Sequence, residues 1–493
     1  MLFVVITAVL IAFSYEPPGD TGRIVGWPVA LAGVFASVAG NWLIAELFAW
    51  LTARRLQRSF DKSGSIMRWF QRLRWVQTAI LLGSYVGVVH GLDWPAVVRV
   101  TWGLEWWVLV DDLLVLLPFA LSLLLVWLAY FRVDELLRSR LESAVVHPPH
   151  WKSRWYHLDF HLRHHLGVVL GPLFAMITVR DLVAIAFRES AFRSTAELVG
   201  EVFGLVTILV FAPMLLRLLW RAEPLPDGPL RERLQQLGRR IKFNPSEILV
   251  WNTHGAVINA AVAGILPWPR YVLLSDGLLN HLSVDEVEAV FGHEAGHVRH
   301  QHLWFFIAFL LGATSFLVLT MTAAGELVTQ LMGDGAADQL FSLARGLAVP
   351  FVCLGTYFGI FFGFLSRRFE RQADIFGCRA VSCARTDCPP NHLPHETASR
   401  DLPLCPAGIQ VFVQALEKIA TLNGAMRDAR SWRHFSIAKR VEFLERLATQ
   451  PQLERSFHRV VLLLKVLVIA ALAGAAWYIW TQSPDMAVEV LSW

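Results

Sequence analysis

Charge is scarce in this chain. Asp, Glu, Lys and Arg make up 17% of its 493 residues and hydrophobic residues 55%, against about 25% and about 45–50% in ordinary soluble domains. Five cysteines provide no disulfide framework for a chain of this length. A net charge of +4 is too small to mark a nucleic-acid partner. No internal repeat or low-complexity tract occurs, and the high apolar content excludes a disordered or collagen-like chain. The excess lies in apolar and aromatic residues: 32 Phe, 20 Trp and a mean hydropathy of +0.47. They cluster in long runs, which points to the lipid bilayer as the chain's solvent.

A bilayer-crossing helix needs about 20 mostly apolar residues. That window predicts spans near 1–14, 26–52, 75–91, 107–131, 166–187, 198–220, 303–325, 346–365 and 459–481. The first lacks a basic leader and a small-residue cleavage site and runs into Glu16-Pro17-Pro18-Gly19, so it is read as an uncleaved span or signal anchor. Of the 44 Lys and Arg, 36 fall in 53–74, 132–165, 221–302 and 366–459, and the alternate loops are nearly bare. By the positive-inside rule these four stretches face the cytoplasm. The expected fold class is a polytopic α-helical membrane protein in the cell membrane, bacterial inner membrane being the expected setting. Its parts are an N-terminal membrane region 1–220 with about six transmembrane helices, a water-facing mainly α (α+β) domain at 221–458 interrupted by a hairpin (303–325, 346–365), and a last helix at 459–481. Within the domain an amphipathic helix is expected over Leu230–Ile241, with strands at Glu247–Trp251 and Tyr271–Leu274.

The chemistry sits in the first polar stretch. Ser283-Val284-Asp285-Glu286 forms a capping-box pattern that opens a helix running into His293-Glu294-Ala295-Gly296-His297. At 3.6 residues per turn His293 and His297 share one face and can hold one Zn²⁺, with Glu294 beside them to act on a water. His300 lies about 10 Å from His293 along an unbroken helix, too far to share an ion with bonds of about 2.1 Å. No Gly-containing turn follows His297, so His300 and His302 are expected as interfacial polar residues. Glu370 is the better third ligand, and Asp374, one turn on, can hold a ligand imidazole by its second nitrogen. The two intervening spans return the chain to the same side, so these groups can meet.

H-E-A-G-H followed by Ser366-Arg367-Arg368-Phe369-Glu370-Arg371-Gln372-Ala373-Asp374 resembles the M48 integral-membrane zinc metallopeptidases, the Ste24-type and HtpX-type endopeptidases. Asn259–Gly264, Leu273–Leu279 and His434–Val441 match further blocks in order, so the resemblance covers about 225–450. It implies a zincin-like (gluzincin) metallopeptidase domain with a small β-sheet and one Zn²⁺ per chain held by His293, His297 and Glu370. Glu294 would be the general base, Asp374 and Arg440 would support the ligands, and His434 would donate to the developing oxyanion. Asn259, Ala260 and Gly264 would belong to an edge strand that receives an extended peptide or membrane-protein substrate. The implied activity is zinc metalloendopeptidase hydrolysis of membrane-associated or misfolded proteins. Spans 1–220 lie outside the resemblance, and the residue after His434 is Phe where many relatives have Pro.

The rival from another class is an inactive membrane scaffold or receptor that keeps the fold, against which the retained Glu294 argues. A site-2-type intramembrane protease would need H-E-x-x-H inside a span and a later L-D-G motif, and here the motif precedes its span. The cluster His157, His161, His164 and His165 reads first as headgroup contacts, with a second metal as the alternative. Cys378, Cys383, Cys388 and Cys405 read as free thiols, with structural zinc as the alternative. Asp111, Asp112, Arg180, Asp181 and Glu201 are expected near the outer interface as paired groups.

Overall fold

The computed structural model describes residues 2–15, 25–141, 153–190, 192–255, 257–332, 353, 355–382, 404–423, 427, 435–450 and 452–482. It divides into two units, Met1–Ile208 and Leu209–Trp493. The first is wholly helical among its described residues. It comprises α1 (Leu2–Phe13), α2 (Trp27–Arg58), α3 (Ser63–Val86), α4 (Val110–Leu141), α5 (Arg154–Ala186, with a π-turn at Leu162–Gly167) and the start of α6 (Arg193–Leu219), which leads into the second unit.

Among the described residues five helices are long and apolar enough to cross a membrane: Trp27–Arg58, Val110–Leu136, Arg154–Ala186, Arg193–Leu219 and Gln452–Tyr478. Two bent pairs, Phe60–Gly91 with Trp94–Thr101 and Val284–Arg299 with His302–Leu317, bring the number to seven if each counts as one span. The chain is an integral membrane protein of the polytopic helical class. The expected first span is α1, 12 residues long and so shorter than a full crossing. Residues 346–352 and 354 of the expected span 346–365 lie outside the described residues. Within the first unit, Arg99 bridges Asp111 at 2.8 Å and Asp112 at 2.7 Å, and Arg180 reaches Asp112 at 3.2 Å and Asp181 at 2.9 Å. These groups pair with one another, as is usual for ionisable groups in apolar helices.

The second unit continues through β1 (Glu223–Pro224), α7 (Pro229–Arg240), β2 (Glu247–Trp251), β3 (Ala260–Ala263), β4 (Tyr271–Ser275), α8 (Asp276–His281), α9 (Val284–Arg299) and α10 (His302–Met332). It then runs through α11 (Gly363–Ala380), α12 (Pro406–Leu422), α13 (Ile437–Thr449) and α14 (Gln452–Gln482). The sheet order is β1-β2-β4-β3, with β2 and β4 parallel and β3 antiparallel to β4 on the sheet edge. Every residue of β4 is buried, as a central strand covered on both faces demands. Leu234, Leu237, Val272, Leu274, Leu278, Val287 and Phe291 join α7, the sheet and α9 into one core.

The N-terminus of α9 is set by a complete capping box: Glu286 N–H donates to Ser283 Oγ at 3.3 Å, and Ser283 N–H to Glu286 Oε2 at 2.6 Å. Its far end is set by closeness to α11. A Cβ on Gly292 would stand 2.5 Å from Ala380 Cβ, and one on Gly296 would stand 3.0 Å from Ala373 Cα. Across the same seam, a Cβ on Gly377 would meet Ala289 O at 3.0 Å. Only hydrogen fits at these positions, so the two backbones lie against each other.

Gly292→Ala should therefore push α9 and α11 apart and destabilise the fold by about 1–3 kcal/mol, the usual cost of overpacking. Gly83→Ala, where an added Cβ meets nothing within 4 Å, should be neutral or stabilising by up to about 1 kcal/mol. Unfolding midpoints of the detergent-solubilised full chain check both signs.

Candidate metal centre

The crossing of α9 and α11 brings together the side chains singled out from sequence. His293 Nε2 and His297 Nε2 are 3.3 Å apart, His293 Nε2 lies 3.7 Å from Glu370 Oε2, and His297 Nε2 lies 3.9 Å from Glu370 Oε1. Three donors about 2.1 Å from a tetrahedral ion sit about 3.4 Å from one another, so the set has the span of a metal site. Among the described residues one other His/Cys/Asp/Glu group is gathered this tightly, Asp111, Asp112 and Asp181, and each of its carboxylates is ion-paired with Arg99 or Arg180.

The second nitrogens of both imidazoles are engaged. His293 Nδ1 lies 3.0 Å from Asp374 Oδ1, and Asp374 is wholly buried. Arg440, from α13, donates through Nε to Asp374 Oδ2 at 2.8 Å and through Nη2 to Asp374 Oδ1. Burial alone would raise the Asp374 carboxyl, but the Arg440 guanidinium outweighs it and holds the group below the usual carboxylate range. The same pair raises Arg440 against its own burial. A buried guanidinium–carboxylate pair thus anchors α13 to α11 and aims His293.

His297 is held differently. His302 Nδ1 faces His297 Nδ1 at 3.1 Å, His302 Nε2 lies 3.1 Å from Gln372 Oε1, and Gln372 Nε2 lies 2.9 Å from His458 Nδ1. The amide oxygen of Gln372 only accepts, so His302 carries its proton on Nε2 and accepts on Nδ1. His297 then donates from Nδ1 and keeps the Nε2 lone pair toward Glu370. One set of tautomers satisfies the whole line and leaves both inward Nε2 atoms free to bind a cation. Burial lowers His297 to about 4, outweighing the pull of Glu370, so the ring is neutral at ordinary pH.

The expectation that His302 is an interfacial polar residue is corrected here. It is fully buried, and its ring stacks on Phe369 at 4.2 Å between centroids. The helix ends at His300, and Gln301 takes a left-handed φ of 58° without being glycine. That turn starts α10 with His302 directed back at His297. His300 stacks on His302 at 5.6 Å and on His458 at 5.5 Å.

Glu294 is half-buried beside the ligand group, and its Oε2 accepts from Val262 N–H of edge strand β3 at 2.9 Å. Burial raises its carboxyl above the usual range. Among the described residues three carboxylates, Glu294, Glu370 and Asp374, face one guanidinium, Arg440, and this carboxylate excess holds His293 above its usual imidazole range against burial. A divalent cation balances that excess, so the donor set, spacing and charge fit a metal ion.

Asn259, Ala260 and Gly264 lie on or beside β3, where expected. Asp276 was not singled out individually: it accepts from Thr253 N–H at 3.0 Å, Thr253 Oγ at 2.6 Å and Gly255 N–H at 2.8 Å, fixing the loop that leads to β3. Its neighbour Gly277 lets that loop close, since a Cβ there would stand 2.6 Å from Val257 O. A carboxylate opening a helix after a strand is the signal for such a loop clamp. His434, Cys383 and Cys388 lie outside the described residues; Cys378 and Cys405 are both buried in the core. His157 is buried, with His161 4.2 Å away between ring centroids, and this cluster does not gather three donors at metal distance.

Residues 224–390 match the model of Peptidase family M48. The chain is 28% identical over 184 residues to the CAAX prenyl protease 1 homolog of Arabidopsis thaliana, covering 36% of this chain and 43% of that protein. It is 28% identical over 186 residues to the Protease HtpX homolog of Aeropyrum pernix, covering 36% of this chain and 54% of that protein. The chain thus spans about half the length of the curated relatives it matches. Among solved structures it is similar to S. mikatae Ste24p at 16% identity and a TM-score of 0.49, covering 86% of this chain and 100% of that one.

Replacing His302 with Ala should weaken Zn²⁺ binding about 10–100-fold, the usual effect of removing the group that orients a ligand imidazole. His302→Gln, which keeps a polar partner for His297, should retain more affinity. Chelator competition on the full chain reads the difference, and unchanged affinity in His302→Ala would show that His297 needs no such support.

Proposed function

We propose that this chain, whose residues 224–390 match the model of Peptidase family M48, is a membrane-integral zinc endopeptidase that hydrolyses peptide bonds of membrane-associated or misfolded proteins. The carrying observation is the convergence of His293, His297 and Glu370 within metal-binding distance beside the half-buried carboxylate Glu294. Zn²⁺ bound there supplies Lewis-acid polarisation of the scissile carbonyl and makes a water acidic near neutral pH.

The chain's own residues do the rest. Glu294 accepts the proton of the attacking water on a carboxylate oxygen and returns it to the leaving amine. Asp374, fixed by Arg440, and His302, fixed by Gln372, hold the two imidazoles so that their Nε2 atoms converge without rearrangement. The free edge of β3 offers main-chain donors and acceptors to an extended substrate, a mode that recognises backbone with little dependence on side chains. Val262 N–H, now bonded to Glu294, ties that edge to the base. His434, by the family resemblance, donates to the developing oxyanion.

In this reading 1–220 is the membrane region, 221–458 the peptidase domain around a membrane hairpin, and 459–481 a final span. The sidedness of Lys and Arg supports a cytoplasm-facing domain in a cell membrane, a bacterial inner membrane being the simplest setting. A non-catalytic scaffold has no use for a carboxylate on the ligand helix that is bonded to the edge strand.

Glu294→Gln should lower kcat on an unfolded casein-type or membrane-protein substrate by about 10²–10⁴-fold while leaving bound zinc at the wild-type level. Glu370→Ala should lose zinc and activity together. Equal proteolysis by Glu294→Gln and wild type would remove the enzyme reading, and full zinc in Glu370→Ala would remove Glu370 from the ligand set.

A further inference from the structure

The first unit holds a basic cavity unrelated to the metal centre. Helix α2 ends in Arg54, Arg55 and Arg58, and the chain enters α3 after a single tight turn, Phe60–Lys62. Between the two helix ends lies a cavity of about 360 Å³ lined by Arg55, Arg58, Ser59, Lys62, Ser65, Ile66 and Trp69. Three cations and two hydroxyls thus face a space walled on one side by a buried Ile and an indole. The Arg55 guanidinium is laid over the Trp69 ring at 3.9 Å, which fixes its position. Arg68 Nη2 donates to Ser65 Oγ at 2.9 Å and adds a fourth cation beside the lining.

Arg55 and Arg58 alone could be serving the negative end of α2. Lys62 cannot. It is the residue that caps the N-terminus of α3, where the helix dipole is positive and the first turn holds no acidic residue. No ion pair among the described residues neutralises Arg55, Arg58 or Lys62, and the one carboxylate of the turn, Asp61, is exposed and outside the lining. Cations collected at a helix N-terminus around a cavity call for an anion, and hydroxyls with backbone N–H groups suit phosphate oxygens. Along the same two helices Leu43, Leu47, Trp50, Trp75 and Val76 are exposed, and α2 is long enough to cross a bilayer. A headgroup at the basic end therefore has an apolar surface for its acyl chains.

We propose that this cavity binds the phosphate of an anionic ligand through Arg55, Arg58, Lys62, Ser59 and Ser65. A phospholipid headgroup and free phosphate share that chemistry, and the experiment separates them.

The full chain in a neutral detergent is titrated with phosphatidylglycerol or phosphatidylcholine, and bound lipid is counted by native mass spectrometry. One phosphatidylglycerol per chain should bind saturably, and phosphatidylcholine should not match it. Each cation removed should cost about fivefold in affinity, so the triple variant Arg55→Gln, Arg58→Gln, Lys62→Gln should lose about a hundredfold. The single variant Lys62→Gln, at an exposed position, gives the fivefold step should the triple variant fail to fold. Arg54→Gln with Arg72→Gln removes two cations from the same stretch but outside the lining and should leave binding unchanged. Displacement by 10 mM inorganic phosphate would identify free phosphate as the occupant; resistance to it would identify the lipid headgroup. Equal binding of the two lipids, or equal loss in the Arg54/Arg72 variant, would overturn the proposal, because the signal would then be diffuse surface charge.

Discussion

Everything in the candidate centre depends on how closely two helix backbones can approach. Gly292, Gly296 and Gly377, together with Ala373 and Ala380, leave no side-chain bulk between α9 and α11. An added methyl group at any of the three glycines would meet atoms of its neighbours at 2.5–3.0 Å, and packed interiors have no slack of that size. At this separation two imidazoles from one helix and a carboxylate from the other fall within one coordination sphere. With an ordinary interhelical spacing the same residues would not converge.

Closeness has an electrostatic consequence. Two carboxylates, Glu370 and Asp374, are removed from water and a third, Glu294, is half-buried beside them, and burying charge without partners is costly. The fold answers with one guanidinium, Arg440, delivered by α13, and with imidazoles whose outer nitrogens face Asp374 and His302. Among the described residues carboxylates still outnumber guanidinium beside three inward donor atoms. A divalent cation would balance that excess. The same logic of collected like charge, with opposite sign, applies to the cations around the α2–α3 cavity.

Much of this was legible in the linear sequence because it depends on short periods. The i, i+4 spacing places His293 over His297 and Glu370 under Asp374, the capping box fixes where α9 begins, and runs such as Glu247–Trp251 coincide with observed strands. His302 was not legible. Its role depends on a turn at Gln301 with positive φ, which sequence rules assign to glycine or asparagine, and on Gln372, 70 residues away in the chain. Asp276 escaped individual notice for a similar reason, since its partners Thr253 and Gly255 belong to an irregular loop. The α2–α3 cavity was visible only as a basic loop; that its cations surround one space is a property of the tight turn between helices.

Anomalous scattering at the zinc edge from crystals of the full chain tests the central claim most directly. A single peak should lie between His293 Nε2, His297 Nε2 and the Glu370 carboxylate, about 2.1 Å from each. A peak ligated by other side chains, or none in a preparation that fully hydrolyses its substrate, would contradict it.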